Sequence, residues 1–146
     1  PNWPEDALAA DIVHRAPLGD AQVVVEPASI EMKFGKLAVE TQPQGGGYSA
    51  MLDIADLPAE RGEARVWVDV VDGSVAVTLT RGDDLDDWIA DACVGPGVIS
   101  DGPAMVRLSV DDMSEVGKVL IRNCSPFGAS RAEVLSILFR STETEA

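Results

Sequence analysis

The sequence predicts an all-β protein, an antiparallel β-sandwich of the jelly-roll type with about eight strands. Three observations carry that expectation. Short segments alternate apolar and polar residues at period two, as half-buried strands do. Turn-forming residues punctuate these segments at roughly 8–15 residue spacing, the rhythm of sandwiches and barrels. Strand patterns do not alternate with long helical ones, so a parallel sheet is not expected.

The N-terminal segment stands apart from this pattern. Between Pro4 and Arg15, Leu8 and Ile12 fall four apart, and Pro4 suits a first helical position with acidic residues behind it. Residues 1–22 are therefore read as a short helix or a linker, with the sandwich over 23–141. Val23 to Val25 adds a short strand. Met32 to Thr41 alternates around Phe34, Leu37 and Val39, with Gly35 as a bulge or turn. Gln42 to Gly47 is a loop, because Pro removes a donor and three glycines resist order. Tyr48 to Ile54 places Tyr48, Ala50, Leu52 and Ile54 on one face, and Leu57 to Gly62 connects onward.

Arg65 to Val71 sends Val66, Val68 and Val70 one way and Trp67, Asp69 and Val71 the other. Asp72-Gly73 then reads as a two-residue type I′ hairpin turn, returning through Ser74 to Thr80. Leu85, Trp88, Ile89 and Ala92 fit a helical face capped by Asp83 or Asp84, whereas Trp88, Ala90, Ala92 and Val94 alternate as a strand does. Context favours a loop followed by a strand. Ala104 to Val110, Lys118 to Asn123 and Ala132 to Arg140 read as three more strands. Asp111 to Gly117, with one helical turn, and Ser125 to Ser130 separate them, and 142–146 reads as a disordered tail.

At 146 residues and 46% hydrophobic content, the chain is long and apolar enough for one domain with a full core. Eleven basic residues against 25 acidic ones leave a formal charge of −14 and a pI near 4.2. Such a surface repels phosphate backbones and anionic headgroups, which excludes nucleic acid and membrane surfaces as expected partners. No apolar run approaches the roughly 20 residues of a membrane span. The chain starts at Pro1 without a basic and then apolar leader, so a cytoplasmic piece of a longer protein is expected. Cys93 and Cys124 permit one disulfide; compartment base rates favour two free, packed thiols.

Asp83, Asp84, Asp86, Asp87 and Asp91 lie within nine residues and have no basic neighbour in that run. Calcium takes six to eight oxygens, so Asp83, Asp84, Asp86 and Asp87 are the candidate ligands, although the spacing is not that of an EF-hand. The alternative is a solvated acidic loop. The single histidine, His14, has no nucleophile nearby in sequence and reads as a surface or packing residue. Neither cysteine has a zinc-ligand partner close by. The chain is therefore not expected to be an enzyme, and apart from calcium no cofactor is expected.

The aromatic residues are few. Sugar-binding surfaces use exposed Trp or Tyr faces for stacking, with carboxylates and amides bonding the hydroxyls. Trp67 and Asp69 share one side of their strand, and Trp88 adjoins the acidic run. Trp67, Asp69, Trp88, Asp86, Asp87 and Tyr48 are the candidate ligand-binding set, against ordinary core packing of each tryptophan. Asn123, closing the apolar strand VLIRN, reads as a turn cap.

The succession "RVWVDVVDGSVAVTLT", "RLSVDDMSEVGKVLIRN" and "GASRAEVLSILFR" resembles β-sandwich accessory domains found beside FkbM-type methyltransferases and glycosyltransferases of bacterial polysaccharide pathways. "YSAMLDIADLPAERG" is similar to a strand and connection of the same architecture, so the resemblance covers about Tyr48 to Arg140. It implies a jelly-roll, carbohydrate-binding-module-like domain that binds or positions a glycan for the catalytic domain of a parent chain. The rival expectation is a protein-interaction or homo-oligomerisation sandwich, in which an exposed Trp67 would serve a partner surface.

Overall fold

The computed structural model describes residues 12–95 and 103–143. Among them eleven strands form two antiparallel sheets, as the alternation predicts, though in greater number. In chain order they are β1 (Ile12–Arg15), β2 (Gln22–Val23), β3 (Ser29–Lys33), β4 (Lys36–Glu40), β5 (Tyr48–Asp53), β6 (Gly62–Asp72), β7 (Val75–Arg81), β8 (Trp88–Val94), β9 (Ala104–Val110), β10 (Val116–Asn123) and β11 (Arg131–Ser141). One sheet runs β3-β4-β11-β6-β9, with β1 also paired to β11; the other runs β2-β5-β10-β7-β8.

The core lies between the sheets. Leu37, Val66, Val68, Val134, Ile137 and Phe139 of the six-stranded sheet meet Leu52, Val75, Val77, Leu79, Val119 and Ile121 of the five-stranded one. Each such side chain taken from water contributes roughly 1.5–3 kcal/mol.

The Asp72-Gly73 turn does not make the expected hairpin. β6 pairs with β11 and β9, whereas β7 pairs with β10 and β8, so the chain crosses from one sheet to the other at this point. A type I′ turn needs positive φ at both central residues, and of the two only Gly73 has it, at 78°. Burial decides the outcome: the inward valines of β6 and β7 cover each other only across the sandwich. A two-residue hairpin turn forms instead at β3–β4, where Phe34 (φ 53°) and Gly35 (φ 79°) both adopt the left-handed conformation. Gly35 is thus a turn residue, and Phe34 projects into solvent.

The expected helix or linker over 1–22 is not found in its described part. Ile12–Arg15 is β1, Leu18–Asp20 is a single 3₁₀ turn, and Gln22–Val23 is β2. The cause is the length of β11. β4 covers its Arg131–Val134 half and leaves Leu138–Arg140 as an open edge, which β1 pairs. Pro4 and Leu8 lie outside the described residues. His14 packs its ring 6.3 Å from that of Phe139. At the other terminus, Thr142 N donates to Arg61 O (3.0 Å), and Glu143 Oε2 accepts from Arg61 N (2.8 Å), so 142–143 are held against the sheet rather than disordered.

Loop then strand holds for the acidic run, and Met113–Glu115 forms the expected helical turn, capped by Asp112 Oδ1 on Ser114 N at 3.0 Å. Asn123 is a fully buried turn cap. Its amide donates to Gln42 O, Gln44 O and Gly128 O, and its Oδ1 accepts from Ser125 N and Ser130 Oγ. On the outer face of the six-stranded sheet, Glu63 is bonded by Arg65 Nε (2.7 Å) and Arg107 Nε (3.0 Å), with Arg140 Nη1 at 3.6 Å. Burial pushes the Glu63 carboxyl up, but the hydrogen bonds from Arg65 and Arg107 outweigh it and hold the group below its ordinary range.

The cysteines are not free. Cys93 on β8 is bridged to Cys124, just after β10, with Cα atoms 6.2 Å apart. β7 lies between those two strands, and Ala76 on it faces both Cys93 and Arg122. The strand order brings together two thiols that are 31 residues apart in the chain.

Candidate functional site

The outer face of the five-stranded sheet gathers the chemistry. Core residues Val119 and Ile121 point inward, so Lys118, Leu120 and Arg122 of β10 point outward, as do Thr78 and Thr80 of β7. Two bulges then decide which aromatic rings join them. The β5–β10 register slips at Ser49, which places Tyr48 opposite Arg122 instead of on the inward face with Ala50 and Leu52. The β7–β8 register slips at Ile89, so Trp88 pairs with Thr80 and turns outward while Ile89 packs against the core. The expectation that Tyr48 shares a face with Ala50 fails for this reason: one extra residue reverses the side.

Tyr48 and Trp88 come to a ring separation of 6.5 Å at 55°. Tyr48 Oη donates to Asp86 Oδ1 at 2.5 Å. That hydrogen bond and then burial raise the phenol above its ordinary value. The Arg122 guanidinium lies 4.1 Å from the Trp88 ring centroid, a cation–π contact. Arg122 Nε donates to Thr78 Oγ1 (3.0 Å) and Nη2 to Asp91 Oδ1 (2.8 Å), while Thr78 Oγ1 donates to the same Asp91 oxygen (2.5 Å). Trp88 Nε1 donates to Leu85 O (2.8 Å), which fixes the indole. Arg122 is buried and Trp88 is 41% exposed, so the arginine backs the ring and the solvent side of the indole is open.

The predicted ligand set is split. Tyr48, Asp86 and Trp88 come together here. Asp87 bonds Arg81 Nη1 at 2.9 Å, and Arg81 Nε also lies 3.7 Å from Glu115. Trp67 and Asp69 lie on the outer face of the other sheet, and Trp67, at 3% exposure, offers no ring face to a ligand. The proposed calcium set also diverges. Asp84 Oδ1 caps Asp86 N, Asp86 accepts from Tyr48, Asp87 faces Arg81, and Asp83 lies 3.7 Å from Lys118 Nζ. Among the described residues no three carboxylate, His or Cys groups are arranged to hold a metal ion. The acidic run has cationic neighbours after all, contributed by β10 and the end of β7.

Sequence reasoning passed over Arg122, Thr78 and Asp91 as site residues. The available signal was an arginine inside the otherwise apolar VLIRN, which must find polar partners if its strand is central. A groove of about 330 Å³ beside β3, β4 and β11 is lined by charged and aliphatic residues, Glu31, Lys33, Glu40 and Arg131 among them, and includes no aromatic ring.

No family model matches the chain, and no curated protein matches it. Solved structures do. A family 29 carbohydrate-binding module is similar with a TM-score of 0.58 at 18% identity, over 90% of this chain and 86% of that one. The C-terminal family 22 carbohydrate-binding module of a Clostridium thermocellum protein is similar with a TM-score of 0.61 at 14% identity, over 94% and 98% respectively. A family 29 variant complexed with cellulohexaose is similar with a TM-score of 0.56 at 20% identity, over 84% and 81%. The chain thus has the β-sandwich fold that these carbohydrate-binding modules share.

Proposed function

We propose that this domain is a non-catalytic carbohydrate-binding module whose site is the outer face of the five-stranded sheet. The observation that carries the reading is Trp88, an indole fixed at its edge by Leu85, backed by Arg122 and open on its solvent side. A pyranose ring stacks on such a face, and Asp86 and Asp91, each held in place by a neighbour, accept hydrogen bonds from its hydroxyls. The fold shared with modules of families 22 and 29 supports the reading, as does the cellulohexaose bound by one of them. Resemblance to accessory domains beside FkbM-type methyltransferases supports a parent enzyme of a bacterial polysaccharide pathway. The Cys93–Cys124 bridge favours an oxidising compartment over the cytoplasm as the place of action.

The test is a glycan array probed with the domain and its tryptophan variants. Binding to a set of related glycans that is lost in Trp88→Ala is the expected result. A blank array against a validated control lectin would move the domain to the interaction and assembly class.

A further inference from the structure

The row of side chains that contains Trp88 continues across the sheet. Thr80 faces Trp88 on one side and Lys118 on the other, and Lys118 faces Asp53 on β5. Lys118 Nζ is bonded to Asp53 and lies 3.7 Å from Asp83. Exposure is divided by sign. The Lys118 side chain is only 12% exposed, whereas those of Asp53 and Asp83 are 67% and 100% exposed. Arg122 is likewise buried under Trp88 with its Nε and Nη2 donors used, whereas Asp86 and Asp91 reach solvent. The two cations that β10 brings to this face are therefore covered and committed, the half-exposed Arg81 at the end of β7 is held by Asp87 and Glu115, and the carboxylates of Asp53, Asp83, Asp86 and Asp91 are what a ligand meets. A further polar group points at the same row: the buried hydroxyl of Thr80 has no hydrogen-bond partner among the described residues.

We infer that this face takes glycans bearing free amino groups in preference to neutral ones and rejects anionic ones. The inference rests on the carbohydrate-binding reading and adds the charge class of the ligand. A protonated sugar amine beside Asp86 or Asp91 gains a charge-assisted hydrogen bond where a hydroxyl makes an ordinary one. A uronate or sulfate brings a second negative charge to carboxylates whose nearest cations are buried or already paired, on a domain at −14.

Three β-1,4-linked hexamers that differ only at C2 provide the probe: glucosamine, N-acetylglucosamine and glucose. Calorimetric titration at pH ~5.5 keeps the sugar amines largely protonated. The glucosamine hexamer is expected to bind about three- to tenfold tighter than the glucose hexamer, the yield of one or two partly exposed ion pairs. The preference should shrink severalfold as the salt is raised toward ~1 M, where screening acts within about 3 Å. The ratio of glucosamine-hexamer to glucose-hexamer affinity should also shrink in Asp53→Asn/Asp83→Asn. Equal or weaker binding of the amino sugar, with Trp88-dependent binding of a neutral hexamer, overturns the inference and leaves the carbohydrate-binding reading standing. Amino-sugar binding that survives Trp88→Ala is adsorption of a polycation and also overturns it. Binding of none of the three overturns it as well, and the glycan array then decides the reading beneath it.

Discussion

Replacing Cys93 and Cys124 by serine should cost the domain about 3.5–4 kcal/mol of stability. The bridge closes a loop 31 residues long. The chain-entropy relation assigns such a loop ~3.7 kcal/mol at 25 °C, as freedom removed from the unfolded chain. For a domain of this size each kcal/mol moves the midpoint by about 2–4 °C, so the melting temperature should fall by roughly 7–16 °C. The measurement is urea unfolding followed by tryptophan fluorescence, on the wild type with and without reductant and on the double serine variant. Reductant should bring the wild type to the variant's curve and leave the variant unmoved. Two results would refute the reasoning separately. Two titratable thiols in the native wild type would show that the bridge does not form. An intact bridge whose removal costs less than ~1 kcal/mol would show that the unfolded chain is already confined in that segment.

Glu63→Gln should destabilise the domain by about 2–4 kcal/mol at neutral pH, because the three arginines around Glu63 lose their counter-charge; chemical unfolding measures it. The carboxyl is held below its ordinary value of 4.5, so its contribution is present above that value and lost as pH falls through the lowered one. The acid limb of the stability curve should therefore be shallower in the variant. Tyr48 is the only tyrosine, so an absorbance titration reports it alone: its midpoint should lie above 10.0 and move back down in Asp86→Asn. The raised value favours the neutral phenol in the folded state, and that stabilisation is present below pH ~10 and lost as pH rises through the folded value. The tryptophans should separate stability from binding. Trp67→Ala, at a buried site, costs about 3–5 kcal/mol, whereas Trp88→Ala costs under ~1.5 kcal/mol in thermal unfolding and removes glycan binding.

The strands of the sandwich were legible because alternation is a local property of the chain. Every central strand from β5 onward is anticipated within a few residues, since a half-buried strand must show period two whatever its neighbours are. The partner of each strand is not local, so period two does not specify it. Asp72-Gly73 has the chemistry of a hairpin turn, yet the valines on either side enter different sheets and meet in the core between them. Tyr48 fits the alternation of Ala50 and Leu52, and a single bulge at Ser49 turns it to the other side. Trp67 and Trp88 look alike in the sequence. One is covered on the six-stranded sheet and the other is held open by Leu85 and Arg122, and only three-dimensional packing distinguishes them. Arg122 was legible in principle, because an arginine inside an apolar strand announces a polar network. Its partners Thr78 and Asp91 are supplied by strands dozens of residues away, so their identity could not be read.

The crossing at Gly73 also bears on how the chain reaches its native state. Because β6 and β7 enter different sheets, their short connection nucleates no paired ribbon. The pairings that make the two sheet centres join distant segments: Val66 with Ile137 and Val106, and Leu52 with Val119. Loop-closure entropy must be met before any of these contacts gives a return, which places folding in the millisecond-to-second range of high-contact-order sandwiches. Of the eleven strands β11 leaves the ribosome last, and it supplies partners to β1, β4 and β6. The six-stranded sheet therefore cannot close until nearly the whole domain has been synthesised, and a chain halted before Arg131 leaves both flanks of that sheet without their common strand.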